Sequence, residues 1–276
     1  MMRVYTIKKW LGLFFTFFMS ISCVHTQNIE VITKVDKDLK EVSGLQLVSN
    51  SNLYWVIEDA GNKPILYGLD ENGNKVQEIR ITNVKNNDWE DITADKNGTL
   101  YIGDFGDNSR KRKTYSIYKI VLDNVENSTV KAEVISFSLP KKKKSYDFEA
   151  FFIRDNHFYV FSKENGETKI FKVENRVGEQ EATYLGELKL KRKHSEITAA
   201  DIATNGREIA LLTHKSILLL TNFKNDEFHK SSVKEIMFNH NSQKEGMSFK
   251  DDSTILIADE KTKHKGGKIY YFSLDE

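Results

Sequence analysis

A short pattern recurs five times along the chain, and no other feature restricts its fold as much. Ser43-Gly-Leu45, Glu90-Asp-Ile92, Glu149-Ala-Phe151, Ala200-Asp-Ile202 and Glu245-Gly-Met247 lie 47, 59, 51 and 45 residues apart. Each opens an apolar segment, and a second segment follows that ends in a polar residue: Asp59, Asp104, Lys163, His214 or Asp259. A third segment is present in every unit (65–69, 116–120, 169–173, 217–220, 268–272). A fourth is present in four of them (76–81, 132–139, 183–190, 233–238). Alternating or continuous apolar runs of this length, bounded by Asn, Asp and Gly, read as strands. Repeats of about 50 residues that cannot bury their faces alone must stack or close on themselves.

The fifth unit ends three strands in, at Glu276, whereas residues 28–35 form an orphan strand ahead of the first. Pairing the two ends supplies the missing strand and hides an edge that would otherwise template aggregation. The sequence therefore predicts an all-β chain folded as a β-propeller of five four-stranded blades. Residues 28–276 form the single domain, its ring closed by an N-terminal strand. A sixth blade is the alternative count. A parallel β-solenoid has shorter coils and no use for the orphan strand. Aromatic residues make up 11% of the chain and the net charge is +1, so the body is not a disordered polyelectrolyte.

Residues 1–22 are a separate object. Arg3, Lys8 and Lys9 precede an apolar run that is too short to span a bilayer comfortably and ends in small residues before Cys23. Cys23 is the only cysteine, which excludes an internal disulfide framework and a cysteine zinc site. Its place at the boundary predicts a lipoprotein-type signal peptide over 1–22 and lipidation of Cys23. Residues 23–27 then form a short tether to a membrane, and the chain is exported to the periplasm or cell envelope. Ser20 stands where a lipobox usually carries leucine, and an ordinary signal peptide is the competing reading. Loss of the three basic leader residues leaves 38 basic against 40 acidic, which gives no overall field for nucleic acid. The basic runs at 110–113, 141–144 and 191–193 read as solvated loops.

Antiparallel pairing of the first two strands of a blade places the start of one beside the end of the other, on one face of the disc. Glu90, Glu149 and Glu245 thereby ring one mouth of the central channel, with Ser43 and Ala200 in the equivalent places. Asp59, Asp104, Lys163, His214 and Asp259 surround them, and Trp89 adjoins Glu90. Converging carboxylates repel one another unless a proton, a cation or a basic side chain compensates. One reading is a metal site of Glu90, Glu149 and Glu245, with Ca²⁺ favoured over Mg²⁺. The other is a structural role, in which each Glu accepts backbone amides from a neighbouring blade. His214 is the one histidine that the repeat offers as a catalytic base. No Gly-x-Ser-x-Gly elbow is present, and Asp104-Phe-Gly106 lacks the other motifs of a kinase.

The succession Glu41-Val-Ser-Gly-Leu45, Asp88-Trp-Glu-Asp-Ile92, Asp147-Phe-Glu-Ala-Phe151 and Gln243-Lys-Glu-Gly-Met247 resembles exported bacterial propellers of the SdiA-regulated type. It is also similar to phytase-like esterase propellers and to gluconolactonase or strictosidine-synthase-like propellers. The resemblance covers roughly residues 38–276 and implies a propeller in the envelope, without a defined reaction. In the gluconolactonase-like group a channel-mouth Glu helps bind a catalytic divalent metal, and Glu90, Glu149 and Glu245 match that position. The asparagine ligands of those enzymes have no counterpart here. Three functions follow as expectations. The first is an envelope-anchored protein binding a divalent cation or small ligand at the mouth. The second is a metal-dependent lactone or ester hydrolase, and the third a protein-interaction scaffold.

Overall fold

The computed structural model describes residues 26–275 apart from 50, 123–127, 191–194 and 264. The leader and Cys23 lie outside the described residues. Five small sheets form the ring, four of them built on four antiparallel strands in sequence order and the fifth on three such strands and one from the N-terminal end. Their innermost strands are Val42–Leu47, Trp89–Ala94, Phe148–Arg154, Ala199–Ile202 and Lys244–Asp251. The structure is thus an all-β five-bladed propeller. Glu30–Lys34 pairs antiparallel with Lys268–Ser273, with Glu30 opposite Tyr271 and Lys34 opposite Lys268. The ring closes through the N-terminal strand.

The core is divided among the joints between blades. Five buried clusters fill them, each drawing side chains from two neighbouring sheets. Between blades 1 and 2, Trp55 and Trp89 pack with Ile57, Ile92 and Ile102. Between blades 2 and 3 the filling is mainly aromatic, with Phe105, Phe148 and Phe151 in edge-to-face contact.

Two expectations are corrected. Three of the sheets carry a fifth strand. Thr129–Val130, Gly178–Glu181 and Thr26–Gln27 each run parallel to the outermost strand of the preceding blade. Each lies on the chain leading into the next blade's outermost strand, and so clips the two blades together and covers an edge. These strands have two to four residues and polar faces, too short for any periodicity to reveal.

The second correction concerns blade 4. Ser43 Oγ donates to the Trp89 carbonyl of the next blade at 2.9 Å, and Thr198 Oγ1 makes the same bond to Lys244 at 2.7 Å. Gly44 opposes Ile57 as Ala199 opposes Leu212. Thr198, and not Ala200, is therefore the fourth member of the ring. The other four blades show a register shift at this point, which blade 4 lacks, and the resemblance of Ala-Asp-Ile to Glu-Asp-Ile misplaces it by two residues.

The inner edge of each innermost strand faces the channel, where its amides have no strand partner. Buried carboxylates serve several of them. Asp91 Oδ1 accepts its neighbour Ile92 N at 2.9 Å, while Oδ2 accepts Phe151 N of blade 3 at 3.1 Å and Ala200 N of blade 4 at 3.3 Å. Asp201 accepts Ile202 N at 2.8 Å and Phe249 N of blade 5 at 2.8 Å. Small residues, Gly44, Ala150, Ala199 and Gly246, occupy the level of Asp91 in the other blades. A Cβ on Gly246 would stand 2.8 Å from Leu45 N, so the inner strands of blades 5 and 1 meet only because that side chain is absent.

Asp91→Ala leaves three buried amides without an acceptor and should cost at least about 3 kcal/mol. Asp91→Asn keeps one carbonyl oxygen and should cost less. Urea midpoints at unchanged slope measure both. Burial pushes the Asp201 carboxyl from its ordinary 3.8 to about 6, against the bonds from Phe249 and Ile202. Between these values the folded protein keeps a proton that the unfolded chain has released. The contribution of Asp201 is therefore greatest below about pH 4 and declines as pH rises to 6, by about 3 kcal/mol. Asp201→Asn should flatten that part of the stability–pH curve.

Candidate functional site

The mouth is built in three tiers. The bulged positions at the start of the inner strands give Ser43, Glu90, Glu149 and Glu245, and Thr198 stands at the equivalent, unbulged place in blade 4. Two residues earlier in each repeat stand Glu41, Asp88, Asp147, Glu196 and Gln243. The third tier comes from the residue that follows each second strand. There Asp59 N donates to Glu41 O, Lys163 N to Asp147 O and Glu260 N to Gln243 O, at 2.8–2.9 Å.

Two of the three predicted glutamates already have side-chain partners, a lysine for one and a histidine for the other. Lys163 Nζ stands 2.8 Å from Glu149, and His214 Nε2 stands 2.7 Å from Glu245. Burial, partly offset by Lys163, pushes the Glu149 carboxyl up to about 8. Burial, then Glu149, Asp59 and Asp88, pushes Glu90 well above the usual range.

Glu90 belongs to a different group. Oxygens of Asp59, Asp88 and Glu90 lie within 4.8 Å of one another. Among the described residues, none of the three forms an ion pair. Burial and then the charge of Asp59 lift Asp88 to about 6, and burial lifts Asp59. Glu149 and Glu245, expected beside Glu90, lie outside this close group among the described residues.

Blade 2 makes room for this group by a local rearrangement. Phe105, which follows the second strand Leu100–Asp104, turns back into the core and lies over Gly103, where a Cβ would stand 2.1 Å from its ring. Gly106 then takes the place at the mouth, donating to Asp88 O at 3.3 Å. A Cβ on Gly106 would lie 2.0 Å from Glu90 Oε1 and 2.6 Å from Asp88 Oδ2. The Asp104-Phe-Gly106 triplet is thereby explained as the device that seats the carboxylates.

Other expected mouth residues are placed elsewhere. Trp89 is wholly buried beside Tyr118, ring centroids 6.1 Å apart, and only its carbonyl bonds toward Ser43. Asp104 is buried under Tyr118 OH at 2.8 Å and Arg112 Nη2 at 2.7 Å. Asp259 is buried under Tyr270 OH at 2.7 Å and Lys268 N at 2.9 Å. Strand alternation sends these last residues outward and their successors to the mouth. Asp59, Lys163 and His214 were assigned on the correct parity. Glu260, pushed to about 7 by burial and then by Glu245, takes the role expected of Asp259. Asp88 was missed, although the repeated Asp-x-Glu at 88–90 and 147–149 carried the signal.

A family model described as SdiA-regulated matches residues 22–263. The chain belongs to the SdiA-regulated family. No curated protein matches this family member by sequence. Among solved structures it is similar to a catalytically inactive virginiamycin B lyase from Staphylococcus aureus with quinupristin. Identity is 16% and the TM-score 0.46, over 84% of this chain and 66% of the lyase, just under two thirds of that protein's length.

Gly106→Ala should destabilise the protein by about 1–3 kcal/mol through crowding of Glu90 and Asp88. Adding Glu90→Ala should recover part of the loss. Thermal unfolding of the two single variants and the double variant measures the coupling.

Proposed function

We propose that this SdiA-regulated propeller is an envelope-anchored binding protein holding a divalent cation, calcium by preference, at Asp59, Asp88 and Glu90. One observation carries the reading. Oxygens of three carboxylates without an ionic partner among the described residues lie within 4.8 Å of one another, two of them packed against Gly106 where a side chain would not fit. Mutual repulsion and burial both disfavour three charges there, and a cation relieves both costs. All three donors are hard oxygens, the ligand type suited to calcium and magnesium rather than to softer metals. Lys163 pairs with Glu149 and His214 is hydrogen-bonded to Glu245 on the other side of the mouth, so the carboxylates left without a side-chain ion pair or histidine contact are those of blades 1 and 2. Glu149 remains a neighbouring carboxyl that helps to hold Glu90 well above its usual range.

An ion that binds only the folded chain stabilises it by about 2.7 kcal/mol at a hundredfold excess over its dissociation constant. Calcium should therefore raise the unfolding temperature and a chelator reverse the rise. Asp88→Asn with Glu90→Gln should abolish the response, whereas Glu149→Gln should weaken it without removing it. A response that survives the double substitution would refute the assignment.

The anchoring half of the proposal rests on the order of basic, apolar and small residues before Cys23. Intact mass of the native protein should show an acyl adduct on Cys23, and Cys23→Ser should release the protein from membranes. A mature N-terminus beyond residue 23 would overturn this half and leave the cation site standing.

A further inference from the structure

We propose that the opposite end of the channel carries a second ligand site, for a small uncharged molecule with an apolar body and one leading hydroxyl or N–H group. The five innermost strands bring equivalent residues there at or just before their ends: Leu47, Ala94, Ile153, Ile202 and Phe249. Their equivalence follows from the pairing, since each lies three residues past Gly44, Asp91, Ala150, Ala199 or Gly246 and opposes the matching residue of its second strand. One apolar side chain from each blade thus forms a collar. It lines a bowl of about 870 Å³ open to solvent on the face away from the acidic mouth. The apolar collar lies inside a rim of polar and charged residues, and a concave volume of this size that combines apolar surface with convergent polar groups is the usual form of a small-molecule site.

The floor supplies the polar group. Gln46 also lines the bowl and is only 7% exposed. Its Nε2 donates to Leu47 O at 2.7 Å and to Ser248 Oγ at 3.2 Å, which fixes the amide with its oxygen on the other side. Among the described residues nothing donates to Gln46 Oε1. An amide oxygen that faces the bowl without a donor from the protein is open to one from a ligand. The remaining floor carboxylate, Asp201, already accepts Ile202 N and Phe249 N. The site therefore asks for one donor at the leading end of its ligand.

The charges around the bowl decide against an ion. Lys96, Arg154 and Lys250 are matched by Asp95, Asp155 and Asp201. Arg154 is bonded to Asp155 at 3.1 Å, and Asp95 accepts Tyr101 OH together with the amides of its own turn. No net field selects an anion or a cation, and the apolar collar penalises both.

The experiment uses 4-methylphenol as probe and 1,4-dimethylbenzene as its analogue without a hydroxyl, in ligand-observed NMR titrations of the purified protein. The phenol should bind at least roughly tenfold more tightly, because the analogue leaves Gln46 Oε1 without a donor. Gln46→Leu should remove that preference. Ala94→Phe, which fills the collar without touching the floor, should abolish binding of both. Neither substitution should alter the calcium response of the mouth, and Asp88→Asn should leave phenol binding unchanged, so this site stands or falls apart from the cation site. Equal affinity for the two probes, no phenol binding up to its solubility, or binding indifferent to Ala94→Phe would each overturn the proposal. Should Gln46→Leu fail to fold, the ratio of the two probes on the native protein and the Ala94→Phe result decide it.

Discussion

The inner edge of a closed ring of sheets has amides that no strand can satisfy, and the carboxylate of Asp91 answers for three of them. It ties the innermost strands of blades 2, 3 and 4 at the axis. Asp201 continues the chain of bonds from blade 4 to blade 5, and Ser43 joins blade 1 to blade 2. At the outer rim the joints are held differently. Short parallel strands lead into one blade while pairing with the last strand of the blade before it. Apolar clusters fill the space between. Because hydrophobic packing alone is non-directional, the hydrogen bonds at the axis and rim set which strand ends face which, and so set the geometry of both channel mouths.

The two mouths inherit opposite characters from strand alternation. The residues at the start of the inner strands and those two before them are acidic or hydroxyl-bearing in four of the five blades, and the residues after the second strands alternate with buried ones that bond outward to Tyr118 and Tyr270. At the far end the inner strands finish in apolar side chains. The acidic end is further divided. Blades 3, 4 and 5 bring Lys163 and His214 to Glu149 and Glu245, whereas blades 1 and 2 bring only carboxylates to the space beside Gly106. A nearly exact repeat in the backbone thus supports an asymmetric site, decided by single residues at equivalent positions.

Much of this was legible in the sequence. Repeat spacing and the orphan strand at 28–35 were enough for the blade count and the closure, because each strand is long enough to show its apolar pattern. Strands of two to four polar residues carry no such pattern. The blade 4 register failed for a different reason: Ala200-Asp-Ile202 imitates Glu90-Asp-Ile92, while the true counterpart, Thr198, announces itself only through its bond to Lys244. Asp104 and Asp259 were confused with their successors because parity depends on where a strand ends, to within one residue. Glu90 was found, but its partners Asp59 and Asp88 come from different tiers of two blades. No spacing rule links them, and Gly106, which makes their approach feasible, is informative only by what it lacks.

The most direct test of the cation site is diffraction from crystals grown with calcium, recorded for its anomalous signal. The account predicts one peak at the mouth with oxygens of Asp59, Asp88 and Glu90 at about 2.3–2.6 Å. A mouth without a peak at saturating calcium, or a peak between Glu149 and Glu245 with Asp59 and Asp88 turned away, would contradict it.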